Sequence, residues 1–158
     1  MPELIHIGSD HAGLELKHAL KAHLEARGFT ARDHGTDSPE STDYPIYARK
    51  VCRAVLNGNA RGILVCGTGI GMSIAANRCR GIRAALCACE FHARACREHN
   101  NANILCLGSR VTGTGLATSI LDIFLDTAFA GGRHQNRLEL IENTSTVNEE
   151  PLCNCTTP

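Results

Sequence analysis

Hydrophobic residues in this chain recur with two different periods. Short aliphatic runs at Leu4–Ser9, 63–66, 82–87 and Ile104–Gly108 read as buried strands, with a weaker one at 29–33. Between them lie longer stretches of helical spacing. Residues 14–27 repeat an apolar side chain at Leu16, Leu20 and Leu24, with Lys and His between, and stop at Gly28. Residues 44–56 form a helix with Pro45 in its first turn and an end at Asn57-Gly58. Residues 72–78 read as the first turns of another, 90–98 and 114–129 as two more, and 133–142 as a last short one after Gly131-Gly132. Strands that alternate with helices imply crossovers and a parallel sheet covered on both faces. The expectation is a single-domain, Rossmann-like three-layer α/β sandwich with five strands in the order 2-1-3-4-5. It spans residues 1–142, and 143–158 are a polar, aperiodic, flexible tail.

Composition narrows the function classes. The chain has 158 residues, 43% of them hydrophobic and 20% charged, enough for one core and typical of a globular domain. Sixteen basic residues balance sixteen acidic ones, so the charge balance favours neither nucleic acid nor an anionic membrane surface as partner. No apolar run reaches membrane-spanning length, and Met1-Pro-Glu-Leu-Ile-His6 lacks a signal-peptide pattern, so a cytoplasmic location is expected. Nine cysteines invite a disulfide or metal reading. Without an export signal, pairing is disfavoured, and Cys87 and Cys106 sit inside apolar runs as small hydrophobes.

The chemistry concentrates in Ile63-Leu-Val-Cys-Gly-Thr-Gly-Ile-Gly-Met72. A buried strand that feeds a glycine turn and then a helix leaves backbone N–H groups facing open space, a place for an anion or a developing oxyanion. Cys66 ends the strand, Thr68 lies in the turn, and Gly67, Gly69, Ile70 and Gly71 supply the amides. In a parallel sheet, ligands bind beyond the carboxyl ends of the strands. Asp10 and His11 follow strand 1, Cys66 ends strand 3 and Arg110 follows strand 5, so all share one rim; Tyr44 reaches the same region.

Other residues fit less simply. His99 and Asn100 fall after a helix and before strand 5, on the opposite rim. Residues alone favour a plain helix C-terminus there; the sharper reading is that they complete a neighbouring subunit's site. Arg133 and Arg137 are four apart on one helical face, suited to gripping phosphate or to pairing with nearby Glu139 and Glu142. The glycine turn is a poor dinucleotide fingerprint because it follows the third strand and lacks the G-x-G-x-x-G spacing; no P-loop is present. His92, Cys96 and His99 share a helical face but match no standard zinc spacing. A small-molecule sensor using the same rim is a non-enzymatic alternative.

Taken together, Gly8-Ser-Asp-His-Ala-Gly13, Thr42-Asp-Tyr-Pro45, Cys66-Gly-Thr-Gly-Ile-Gly71, Ala75-Ala-Asn-Arg78, Gly81-Ile-Arg83, Arg97-Glu-His-Asn100, Gly108-Ser-Arg110 and Gly131-Gly-Arg-His-Gln135 resemble the ribose-5-phosphate isomerase B family, in order along residues 4–142. That family includes related hexose-6-phosphate isomerases. The resemblance implies an aldose–ketose isomerase acting on a phosphorylated sugar: ribose 5-phosphate, or alternatively allose or galactose 6-phosphate. It implies Cys66 as the proton-transferring base, with Thr68 beside it, and His99 as the group that opens the sugar ring. Asp10, His11, Tyr44, Asn100 and the 67–71 amides would contact substrate, and Arg110, Arg133 and Arg137 would surround it, mainly at the phosphate. One branch of the family uses a glutamate in the glycine turn, where this chain has Met72, leaving Cys66 as base. No metal or nucleotide cofactor is implied. The family works as a homodimer or homotetramer with sites shared between subunits.

Overall fold

The computed structural model describes residues 2–143, so the expected tail lies almost wholly outside them. Five strands, β1 (Leu4–Ser9), β2 (Thr30–Asp33), β3 (Arg61–Cys66), β4 (Ala84–Leu86) and β5 (Ile104–Gly108), form one all-parallel sheet. The α-helices are α1 (Leu14–Ala26), α2 (Tyr44–Gly58), α3 (Ile70–Ala76), α4 (Glu90–Asn100), α5 (Thr114–Asp126) and α6 (Arg133–Glu142), and a short 3₁₀ turn, His11–Gly13, precedes α1.

Alternation along the strands divides the core into two layers. Ile5, Ile7, Ile63, Val65, Leu105 and Leu107 face α1, α4 and α5, where they meet Leu20, Leu24, Ala93, Ile120 and Phe124. Leu64, Cys66, Ile104 and Cys106 face α2 and α3, against Val51, Cys52, Val55, Met72 and Ala76. The three-layer sandwich is thus the architecture expected from the sequence, with Cys66 pointing to the α2–α3 side.

The strand order is not the one expected. It runs β2-β1-β3-β5-β4, with β5 between β3 and β4. Burial explains the exchange. All five residues of β5 are buried, whereas Ala84–Leu86 is only three residues long and leaves Leu86 39% exposed. A continuous apolar strand takes the centre and a short Ala-Ala-Leu strand takes an edge, where its one unpaired side costs least.

Several boundaries also move. β4 begins at Ala84 rather than 82, because the Arg83 N–H donates to the Asn103 side chain instead of to a neighbouring strand. α2 runs on through Gly58, and Asn59, at φ 46°, supplies the left-handed cap. α3 starts two residues early, at Ile70, directly after Gly69. α4 continues through Asn100 and is capped by left-handed Asn101, so His99 and Asn100 belong to its last turn. α5 stops at Asp126 rather than 129, where the Thr127 hydroxyl donates to the Ile123 carbonyl.

Lys17, which periodicity places on the polar side of α1, has no exposed surface at all. Its Nζ pairs with Asp33 at 2.9 Å and Asp37 at 3.4 Å and donates to the Thr36 carbonyl at 2.6 Å. This buried ammonium ties the loop after β2 to α1. Breaking a buried pair by deleting one partner strands the other's charge. Lys17→Met is therefore expected to cost about 3 kcal/mol, the low end for such a break because Asp37 remains hydrated. Urea unfolding of the two proteins measures it.

Candidate active site

The site is built around the end of β3. Cys66 is 5% exposed, fixed on its strand by pairing with Gly108 of β5. Gly69, at φ 77°, turns the chain so that its amide donates to Cys66 Sγ over 3.2 Å. That contact sets the direction of the sulfur at the mouth of the turn. Ile70 N–H donates to Thr68 Oγ1 at 3.4 Å, so the threonine hydroxyl closes the other side of the same loop. As the first residues of α3, Ile70, Gly71 and Met72 have amides without an intrahelical carbonyl to bond.

Four further groups converge on this turn from other elements. Asp10, buried, caps the 3₁₀ turn by accepting the Gly13 N–H at 3.1 Å and hangs from β3 through its own amide to Val65 O. His11 Nδ1 accepts the Thr42 N–H at 3.2 Å, which leaves Nε2 as the ring's outward nitrogen. Arg110 lies over Gly67: a Cβ placed on that glycine would sit 3.4 Å from Nη1. Tyr44 stands over Gly71 so closely that a Cβ there would be 2.7 Å from its ring. Ser109 secures the floor by donating to the carbonyls of Ala12 and Cys66. Asp10, His11, Tyr44, Cys66, Thr68, Gly67, Gly69, Ile70, Gly71 and Arg110 are therefore brought to one rim.

His99, Asn100, Arg133 and Arg137 are not. α4 ends beside the start of β5, where Arg83 Nε donates to the carbonyls of Asn100 and Asn101 and Arg97 donates to Asn101 Oδ1 and the Ala102 carbonyl. These two arginines fix the last turn of α4, and His99 and Asn100 stay exposed on it. His99 stacks on His134 of α6, ring centroids 4.4 Å apart and planes within 17°. The same helix carries exposed Arg133 and Arg137, so this second patch combines two imidazoles with two guanidinium groups. Partial desolvation and the neighbouring His99, Arg133 and Arg137 lower the His134 pKa, and the ring stays neutral to lower pH than a free histidine. The two patches occupy opposite ends of the strands, roughly 17 Å apart for a five-residue strand.

His134 is not singled out by the sequence. It stands within a recognisable motif, but nothing in the spacing says that position 134 stacks on position 99. The His92, Cys96, His99 face does not gather into a metal site. Cys96 turns inward to Cys87, His92 Nδ1 accepts the Ala88 N–H and His99 meets His134. Among the described residues, His18, Asp33 and Asp37 do bring ligand atoms together, but the Lys17 ammonium already pairs with both carboxylates.

The fold and this rim define a doubly wound α/β protein with a polar small-molecule site beyond the carboxyl ends of its strands. Comparison with known proteins makes the class specific. The chain belongs to the ribose/galactose isomerase family, whose sequence profile matches residues 5–141. It is 51% identical over 138 residues to ribose-5-phosphate isomerase B of Escherichia coli, covering 87% of this chain and 93% of that one. Among solved structures, ribose-5-phosphate isomerase B of Clostridium thermocellum superposes with a TM-score of 0.89 at 49% identity, over 92% of this chain and 99% of the other. A ribose 5-phosphate isomerase of Thermotoga maritima gives 0.87 at 55% identity, over 89% and 97%.

The turn tolerates no side chain at Gly69. A Cβ there would lie 2.9 Å from the Leu107 carbonyl carbon, which is backbone and has nowhere to move, and the positive φ adds strain. Gly69→Ala is expected to lose at least about 1–3 kcal/mol of stability from the backbone conformation alone. Denaturant titration monitored by far-ultraviolet circular dichroism tests this.

Proposed function

We infer that this chain is an aldose–ketose isomerase that interconverts ribose 5-phosphate and ribulose 5-phosphate. The observation that carries the reading is the buried Cys66 sulfur at the end of β3, held by the Gly69 amide on the rim it shares with Asp10, His11, Thr68 and Arg110. The identity to ribose-5-phosphate isomerases over nearly the whole chain supports the same substrate.

The proposed chemistry is a proton transfer between neighbouring carbons. His99 protonates the ring oxygen as the C1–O bond breaks and the C1 hydroxyl gives up its proton to water, giving the open-chain aldose. The Cys66 thiolate then takes the C2 proton, and the electron pair of that bond moves into the carbonyl, leaving a cis-enediolate with its charge on O1. The amides of residues 67–71 and the Thr68 hydroxyl donate to that oxygen, where donors fixed in advance act most strongly. Cys66 returns the proton to C1 while the O2 proton passes to O1, and the ketose leaves with its carbonyl at C2. Tyr44, Asp10, His11 and Asn100 orient the hydroxyl groups. Arg110, Arg133 and Arg137 hold the phosphate, a dianion suited to planar guanidinium donors. No step consumes a cofactor.

In this scheme the functional unit is at least a homodimer in which each site draws Cys66 from one subunit and His99, Asn100, Arg133 and Arg137 from another. The distance between the two patches supports this, since a histidine side chain is far shorter than a strand. In this reading residues 1–142 form the isomerase domain. No helix among the described residues is long and apolar enough to cross a membrane, in keeping with a cytoplasmic enzyme.

Cys66→Ala is expected to reduce turnover by about a hundred- to ten-thousand-fold, the usual contribution of a positioned base, while circular dichroism stays unchanged. Turnover within tenfold of wild type would remove Cys66 from the mechanism. Mixing Cys66→Ala with His99→Ala subunits is expected to restore about a quarter of wild-type activity, because half the randomly formed dimers regain one intact site of two. Subunit exchange without recovery, followed by native mass spectrometry, would exclude a shared site.

A further inference from the structure

A second concave surface lies along α2, outside the candidate active site. It encloses about 500 Å³ between α2 and the end of β2, and is lined by His34, Ile46, Arg49, Lys50, Arg53 and Ala54 among others. Arg49 and Arg53 are four residues apart and therefore point the same way, with Lys50 beside them. All three are exposed, and among the described residues none of them makes an ion pair. An ordinary solvated helix face carries both signs of charge; this one presents only cations to a hollow.

Behind the hollow sits a histidine pair. His34 Nε2 lies 2.9 Å from Nδ1 of His6, which is 3% exposed on β1. One ring must donate and the other accept, so the pair shares one proton in its neutral form. The carboxylate next in the chain, Asp33, is committed to Lys17 and the Gly35 N–H. The Asp33 charge favours a proton on His34, but Lys17 already pairs with that carboxylate, and Arg32 and Lys50 oppose the proton.

We propose that this hollow binds a small diphosphate-bearing molecule, gripped by Arg49, Lys50 and Arg53 and backed by His34. Three fixed cations and one protonatable imidazole match the charge of two linked phosphoryl groups better than that of one. Ile46 and Ala54 give an apolar wall for the rest of an ester. A volume of this size suits a small organic ligand rather than a lone ion. The pair also predicts the pH response. Burial, with His34 and Arg32, holds His6 below the ordinary histidine value, and burial, with Arg32 and Lys50, does the same for His34. The groups facing them are Arg32 and Asp33 from β2 and Lys50, Arg49 and Arg53 from α2. A bound anion favours the protonated rings, so affinity rises as pH falls into and below the ordinary histidine range.

The test uses inorganic pyrophosphate and calorimetry on the full chain carrying Arg133→Gln and Arg137→Gln, which weakens the sugar-phosphate grip. Pyrophosphate is expected to bind that protein at least tenfold more tightly than orthophosphate. Adding Arg49→Gln and Arg53→Gln, both on an exposed face, is expected to reduce the affinity at least tenfold with an unchanged melting temperature. His34→Gln is expected to flatten the rise in affinity between pH 7.5 and 5.5. Absence of binding, indifference to the α2 substitutions or equal affinity for the two anions would overturn the proposal. An unaltered pH slope in His34→Gln would remove the histidine pair from it.

Discussion

Parallel pairing sorts residues by rim. With five strands running the same way, whatever follows a strand lies at one end of the sheet and whatever precedes one lies at the other. Asp10, Cys66 and Arg110 are gathered without any long-range side-chain contact being needed, because each is the next thing in the chain after a strand. The same rule sends His99 and Asn100 away. α4 must return antiparallel to the sheet before β5 can begin, and its last turn comes to rest beside the first residues of β4 and β5. The division of polar groups into two patches follows from pairing direction.

Within that frame the close approaches depend on missing side chains and on amides. The turn at residues 67–71 brings backbone under Tyr44 and Arg110 and against Leu107. The Cys66 thiol held there is buried at the end of its strand, 5% exposed. The second patch is fixed by a different device. Arg83 and Arg97 donate to carbonyls at the C-terminal end of α4, and Arg83 also pairs with Glu142 of α6 at 2.9 Å. Cations at a helix C-terminus suit its dipole as well as its unsatisfied carbonyls. His99 therefore stands on a rigid support although it is itself exposed.

Much of this was legible in the sequence where a local rule sufficed. β1, β5 and α6 fall at the boundaries their patterns predict, and the rim residues follow from counting strands. Strand order was harder, because the sequence ranks β4 and β5 only by apolar length, and the exchange of neighbours rests on which of them is buried on both faces. The burial of Lys17 has no signal in the sequence because its partners lie 16 to 20 residues downstream, in a stretch without helical periodicity. The stack of His99 on His134 was invisible for the same reason: it joins two helices whose contact no spacing encodes. Family resemblance supplied the roles proposed for the residues; spacing alone left Cys66 as a small buried hydrophobe as readily as a base.

The buried Lys17 ammonium has a consequence for how substitutions in this protein are to be interpreted. It anchors Asp33, Thr36 and Asp37, and the loop they begin ends at Thr42, whose amide orients the His11 ring. Stability and the setting of His11, proposed to meet the substrate, are thereby joined in one stretch of chain. A change that loosens the knot shifts His11 without touching any ligand, and its signature is a weaker substrate affinity accompanied by a lower unfolding midpoint. A change at the rim alone separates those two quantities. Measuring both on every variant distinguishes residues that meet the sugar from residues that hold the loop in place.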